Sequence, residues 1–360
     1  MERLTATAEI AASVFRQLGE PTTLGKKLRY VAVSGNGEAR WLLPSSGAKA
    51  GPVLANWAPY RWRSRVGWRA VRAADRVGRV HELPGSVELE LEAARSANWA
   101  SLGWDGRDEP IAVVYIGTPG PRRKAVVHLV DRASATCRAV VKVPLAEEAK
   151  AAILHEAEVL EALERERYEH SPRLLHVDSE RGITTQTFVE GRPGAKKLAP
   201  KYWRLLRSLL LPGESTSLSA GIGVWQHEAG SYAWAIEELQ DDAALPACWE
   251  HGDSAPWNIR RLAGGDCALL DWEHARRPSL PLMDAFHFLH MQDFLFGERP
   301  RLHWQRLRDG AMEMGIAPAS VRRLEIAYLV RATVECTRER NEARLRYVQD
   351  SLETLRKGVA

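Results

Sequence analysis

The chain has 360 residues, 45% hydrophobic and 27% charged, a globular composition that excludes disordered, collagenous and coiled-coil classes and leaves room for two or three domains. Its 50 Lys+Arg nearly balance its 46 Asp+Glu, and the net charge of +4 comes from residues 1–110, which hold 16 basic and 12 acidic side chains. No apolar run approaches the roughly 18 residues that cross a bilayer, and Glu2, Glu9 and Glu20 interrupt the opening segment, so neither a membrane span nor a signal peptide is expected.

Residues 1 to about 105 open with a short amphipathic helix. Strands at Arg29–Val33 and Ala39–Leu43 follow, around the turn-forming Gly35-Asn36-Gly37. Tyr60–Val80 then carries seven arginines and one acid, Asp75. Arg65, Arg69, Arg72, Arg76 and Arg79 recur at helical spacing, with Val66, Ala70, Ala73, Val77 and Val80 as a neighbouring stripe. One reading sets the apolar stripe against the core and the arginines in water. The other is an anion-attracting surface, for an acidic membrane leaflet or a phosphorylated glycan. Nucleic acid is not expected as a partner, because the rest of the chain is not basic.

From about residue 110 the pattern turns to strands. Ile111–Ile116 is a continuous apolar run, followed by Gly117-Thr118-Pro119-Gly120-Pro121 and a second strand at Ala125–Val130. Asp131–Thr136 reads as a turn and Arg138–Val143 as a third strand. A helix is expected from Leu145 to about Arg167, then strands at Leu174–Val177 and Gly182–Val189, ended by Glu190-Gly191-Arg192-Pro193. Beyond Pro193 the spacing is mostly helical, over Ala199–Leu211, Tyr232–Leu239, Met283–Phe296, Leu302–Met314 and Val321–Thr354. The interruption is Trp249–Trp272, and it holds the chemistry.

There His251-Gly252-Asp253-Ser254-Ala255-Pro256-Trp257-Asn258 leads into two short strands, Asn258–Leu262 and Cys267–Leu270, around Ala263-Gly264-Gly265-Asp266. The second ends in Asp271-Trp272-Glu273. A hairpin brings its ends together, so Asn258 and Asp271 should lie side by side with Asp253 facing them. Phosphoryl transfer from a nucleotide needs such a set. Magnesium takes oxygen ligands, which Asp271 and Asn258 supply, and an attacking hydroxyl needs an acceptor for its proton, the role for Asp253. Lys142 lies in the apolar strand VVKVP, where a cation is costly unless paired, and Glu156 follows on the next helix. Such a pair can hold the lysine against phosphates. Gly117 and Gly120, flanking Thr118, would let backbone N–H groups approach phosphates, although Pro119 and Pro121 remove two donors; Arg122, Arg123 and Lys124 could compensate with charge.

On these residues the chain resembles the aminoglycoside phosphotransferase and choline kinase superfamily, small-molecule kinases with a protein-kinase-like fold. HGDSAPWN resembles that family's catalytic loop, LLDWE its metal-binding segment, and VVKV with HEAEVL its lysine strand and glutamate helix. QTFVEGRP resembles the link between lobes, which implies that backbone at Phe188, Val189 and Glu190 meets the adenine. Asp284 in PLMDAFHFL resembles a structural aspartate that follows the site. GTPGPRRK, HGDSAPWNIRR and DAFHFL are similar to members associated with bacterial surface-polysaccharide biosynthesis.

The resemblance implies an α+β, bilobal fold. The likeness covers roughly residues 110–300, with a five-stranded antiparallel N-lobe expected at 106–191 and a mainly helical C-lobe at 192–360; residues 1–105 have no counterpart in the common small kinases and are expected as an appended N-terminal module. ATP and Mg2+ are the expected cofactors, with a hydroxyl of a small molecule or glycan-like metabolite as acceptor. The alternative is a pseudokinase or scaffold that uses the fold for binding. Glu237, Glu238, Asp241 and Asp242 read as a solvated helix end, or as an acidic cleft for a polycationic acceptor. Many Trp, with the arginine stripe, suit a glycan better, because aromatic faces pack on sugar rings. Cys137, Cys248, Cys267 and Cys336 form no C-x-x-C pair and read as free thiols, so a cytoplasmic protein is expected.

Overall fold

The computed structural model describes residues 2–19, 26–35, 38–45, 50–93, 98–194, 197–223, 225, 232–297 and 304–358. The chain divides into two compact units, Met1–Pro193 and Gly194–Ala360. In the first, the elements are α1 (Glu2–Leu18), β1 (Lys26–Gly35), β2 (Glu38–Pro44), α2 (Gly51–Asn56), α3 (Trp62–Arg76), β3 (Ser86–Ala93), β4 (Ile111–Ile116), β5 (Lys124–Val130), β6 (Cys137–Pro144), α4 (Glu147–Arg165), β7 (Leu174–Asp178), β8 (Ile183–Thr187) and β9 (Arg192–Pro193). Strands β1 to β8 form one antiparallel sheet in the order β3-β1-β2-β4-β5-β6-β8-β7.

The expected five strands are therefore widened to eight. Residues 1–105, expected as an appended module, supply the other three, because β2 pairs with β4 through Trp41↔Tyr115 and Leu42↔Val114. Both faces of the sheet are buried by residues from either side of position 105. On one face Val14, Phe15 and Leu18 of α1 pack with Val114, Val127 and Val141. On the other, Leu54 and Trp68 of α2 and α3 pack with Trp41, Val113 and Val130. The turn expected at Asn36-Gly37 lies outside the described residues.

Helix α3 faces the core differently from the stripe expected to do so. It buries Trp68, Val71 and Asp75, while Val66 and Val77 stay exposed. Polar anchors set this rotation: the Trp68 Nε1 donates to the carbonyls of Leu54 and Trp57, and Asp75 accepts the Ala50 N–H.

The second unit contains α5 (Pro200–Arg207), β10 (Leu210–Thr216), α6 (Leu218–Ile222), α7 (Ala233–Glu238), β11 (Leu245–Glu250), β12 (Ile259–Arg261), β13 (Cys267–Leu269), β14 (Arg276–Ser279), α8 (Met283–Phe296), α9 (Trp304–Glu313), α10 (Pro318–Arg338) and α11 (Glu342–Arg356). Helix α10 is its centre: Leu324 through Val334 are all buried, as befits a helix enclosed on every side. Two expectations are corrected here. The helix expected over Ala199–Leu211 stops at Arg207, and β10 begins a small antiparallel sheet with β11 and β14. The single helix expected over Val321–Thr354 breaks at Arg340, whose φ is 53°, and Asn341 caps α11 by accepting the Arg344 N–H. No described helix is long and apolar enough to cross a membrane.

Candidate active site

Strand β11 delivers the chain into the loop 251–258, which β12 and β13 follow as the expected hairpin. The Leu270 N–H donates to the Asn258 carbonyl at 2.8 Å, so Asn258 and the residue before Asp271 face each other across its open end. Asp253 lies half-buried in the loop, and its carboxylate is held from two directions. Asn258 Nδ2 donates to Oδ2 at 2.8 Å, and His287 Nε2 lies 2.9 Å from Oδ1. A carboxylate accepts only, so the Asn258 amide must point its nitrogen at Asp253, which leaves its carbonyl oxygen for another partner. Asp271 sits just past β13 with a φ of 70° and is half-buried.

Three buried groups hold this loop in place. Asp284, in the first turn of α8, accepts the His251 and Gly252 N–H groups at 2.8 and 3.0 Å. The hydroxyl of Tyr202 on α5 meets Ser254. His251 accepts the Asp253 N–H at Nδ1, which puts its own proton on Nε2, 2.8 Å from the Leu270 carbonyl. Gly252 has a φ of 82°, and a Cβ there would stand 2.5 Å from the His274 carbonyl oxygen, so no larger residue fits.

Electrostatics follow from this enclosure. Desolvation raises the Asp253 carboxyl, but the His287 hydrogen bond and charge outweigh it and hold the group below the usual carboxylate range. Burial also lowers His287, against the opposing hydrogen bond and charge of Asp253. Burial lowers His251 from 6.5 to about 4, against the pull of Asp253. A histidine with a depressed folded pKa contributes stability above its unfolded value and loses it as pH falls toward the folded one. From pH 7 to pH 5 that loss is about 2 kcal/mol. His251→Asn should shrink the pH 7-to-5 change in urea-unfolding free energy by this amount relative to the wild-type chain. An unchanged difference would mean that His251 titrates normally.

The first unit carries a second constellation. Lys142 on β6 and Glu156 on α4 are both buried, with Nζ 2.7 Å and 2.5 Å from the two carboxylate oxygens. Across the sheet Lys142 is paired with Val126 and Thr184, and Val140 with His128 and Gln186, which puts these side chains on one face. On that face the buried Gln186 Nε2 donor has no hydrogen-bond partner among the described residues.

The β4–β5 loop departs from its expected role in one respect. The Gly117 N–H donates to the Lys124 carbonyl at 2.9 Å, and a Cβ at 117 would stand 2.8 Å from that same oxygen. Gly117 is thus required by the close approach of the two strands, and its N–H is not available to a phosphate. Thr118 and Gly120 are exposed at the tip, and the Thr118 hydroxyl lies 3.3 Å from Nη1 of Arg40 on β2.

Just after β8, the Phe188 N–H continues the ladder to the Arg138 carbonyl, and its ring meets His128 edge-on at 6.0 Å. Glu190 is exposed. Buried Asn56, at the end of α2, grips this segment twice: Nδ2 donates to the Val189 carbonyl at 3.0 Å and Oδ1 accepts the Gly191 N–H at 2.6 Å.

Three of these residues escaped the sequence reading: Arg40, Asn56 and His287. The first two act across more than seventy residues of chain and leave no local pattern. His287 had a signal, since it stands three residues after Asp284 and so shares a helix face with it.

No protein-family model matches the chain, and no curated protein matches it. Among solved structures it is similar to a choline kinase, LicA, from Streptococcus pneumoniae, at 15% identity over 67% of this chain and 92% of that one, with a TM-score of 0.43. It is similar to macrolide 2'-phosphotransferase type I at 15% identity over 66% of this chain and 90% of that one, with a TM-score of 0.44. A thermostable mutant of aminoglycoside phosphotransferase APH(4)-Ia is similar at 12% identity over 69% and 94% of the two chains, with a TM-score of 0.47.

Proposed function

We propose that the protein is an ATP- and Mg2+-dependent phosphotransferase that moves a γ-phosphate to a hydroxyl of a small molecule or glycan-like metabolite. The observation that carries this reading is the Asp253 carboxylate, kept ionised by His287 and oriented by Asn258, in a loop leading into the Asn258–Asp271 hairpin. Asp253 would accept the proton as the hydroxyl oxygen attacks the γ-phosphorus and the bond to the β–γ bridging oxygen breaks, releasing ADP. Two of its lone pairs are engaged by His287 and Asn258, and the remaining ones are free to take that proton.

The donor set suits magnesium. Among the described residues no group of three or more His, Cys, Asp or Glu is placed to hold a metal ion. A magnesium ion that takes most of its ligands from phosphate and water needs only one or two protein oxygens, and the Asn258 carbonyl and Asp271 carboxylate are of that kind. When bound, the ion would neutralise the charge that develops on the phosphates.

In the first unit, Lys142, fixed by Glu156, would grip the phosphates, with Thr118 and Gly120 of the β4–β5 loop as backbone donors. The orphaned Gln186 donor supports a ligand on that sheet face, since leaving it unmet costs roughly 1–3 kcal/mol. Phe188, Val189 and Glu190, held by Asn56, would meet the adenine. A glycan-like acceptor, of the kind used in surface-polysaccharide synthesis, completes the reading.

A thermal-shift titration tests it. ATP with magnesium at a hundred times its dissociation constant should raise the melting temperature by about 4 °C. Asp271→Ala should remove the magnesium dependence of that shift. No shift with ATP, GTP or ADP would overturn the reading and leave the scaffold alternative.

A further inference from the structure

Helix α3 has two faces that a water-exposed helix does not need. One buries Trp68, Val71 and Asp75. Opposite it, Trp62, Val66, Ala70, Ala73 and Val77 follow one another at every third or fourth position, and all are exposed. Trp62, Val66 and Val77 keep 69%, 57% and 67% of their surfaces in solvent, and they stand among the few large apolar side chains so exposed among the described residues. Arg65, Arg69, Arg72 and Arg76 run along one flank of this stripe, each two or three residues beyond one of its members. The Arg63 guanidinium lies 5.5 Å above the Trp62 ring.

The row of charge is not neutralised from within. The single acid of the helix, Asp75, is buried and turned to the Ala50 N–H. Arg65 reaches only the Pro59 carbonyl. Among the described residues, Arg69, Arg72 and Arg76 are exposed or half-buried without a hydrogen-bond or ion-pair partner.

We propose that α3 docks this protein on an anionic bilayer surface, lying parallel to it, with Trp62, Val66 and Val77 inserted and the arginines at headgroup depth. Charge complementarity selects the anion, because a row of cations beside an apolar stripe matches lipid phosphates beside acyl chains. The shape selects a bilayer over an acidic protein. The stripe is the convex side of one helix, low in the middle at Ala70 and Ala73, and a fluid surface accommodates that contour without a matching groove. Tryptophan at one end suits the headgroup boundary, where an amphipathic ring is half in and half out. Docking is peripheral and reversible, and it needs no nucleotide, so it stands independently of the phosphotransferase reading.

Co-sedimentation of the full chain with vesicles tests this. Vesicles of phosphatidylcholine with one-quarter phosphatidylglycerol should bind at least tenfold more tightly than phosphatidylcholine alone, and the binding should weaken as salt rises. A variant carrying Arg69→Gln, Arg72→Gln and Arg76→Gln should bind the anionic vesicles about a hundredfold more weakly, at an unchanged melting temperature. Trp62→Ala should weaken binding several-fold at constant charge. No binding to anionic vesicles, equal binding to neutral ones, or a triple variant that binds like wild type would overturn the proposal. So would tighter binding to soluble poly-glutamate than to the vesicles, which would assign the surface to an acidic polypeptide.

Discussion

Asp253→Asn should lower phosphoryl transfer by between about 100- and 10,000-fold, the range that a positioned general base contributes. The substitution keeps the size of the side chain and an oxygen for the Asn258 amide, so ATP affinity, read by thermal shift, should stay close to wild type. Turnover near the wild-type rate would exclude Asp253 as the base. His287 acts on the same carboxylate from behind and is a positioning residue. Without it, burial is the dominant influence on Asp253 and the carboxyl shifts upward. In His287→Leu the acidic limb of the kcat/KM profile should therefore move toward neutral pH, while the rate at alkaline pH falls less. A purely structural role for His287 would lower the whole profile without moving that limb.

Arg331→Leu should destabilise the second unit by about 3–5 kcal/mol, because it strands a buried charge. Arg331 on α10 and Glu250 at the end of β11 form a two-pronged ion pair from which water is almost excluded, and Ser279 donates to the same carboxylate. Desolvation alone would raise the Glu250 carboxyl, but the charge and hydrogen bonds of Arg331 pull it below its ordinary value. That contribution is present above the unfolded pKa of about 4.5 and is lost as pH falls below it. Glu250→Leu combined with Arg331→Leu should recover most of the loss, since a desolvated pair replaced by apolar groups is often nearly neutral. Urea unfolding at pH 7 of the single and double variants measures both. A double variant as unstable as the single one would mean that packing, not charge, sets the cost. Glu250 immediately precedes His251, so the pair also anchors the strand that presents Asp253.

Much of this molecule is legible in one dimension. Strands β4, β5 and β6 announce themselves by alternating or continuous apolar runs between turn residues, and Ile111–Ile116 matches β4 residue for residue. The hairpin that brings Asn258 toward Asp271 is equally local, because a short turn fixes which residues face each other. Lys142 and Glu156 meet as expected, one on a strand and the other on the helix that follows it. Each of these rests on neighbours within about twenty residues, where sequence spacing is already geometry.

The remainder rests on contacts that spacing does not encode. Residues 1–105 join the central sheet because Trp41 and Leu42 pair with Tyr115 and Val114, strands more than seventy residues apart. The rotation of α3 is decided by where the Trp68 and Asp75 side chains find partners, so Val66, Ala70, Ala73 and Val77 of a stripe that looked like the core side face water, while Val80, past the end of the helix, joins the core. His287 reaches Asp253 only because α8 packs against the loop that its own Asp284 caps. A sequence determines local periodicity and turn geometry through backbone sterics and the alternation of side chains. Which of several amphipathic faces is buried, and which distant polar group meets a buried carboxylate, is chosen by the folded chain as it satisfies its buried hydrogen bonds.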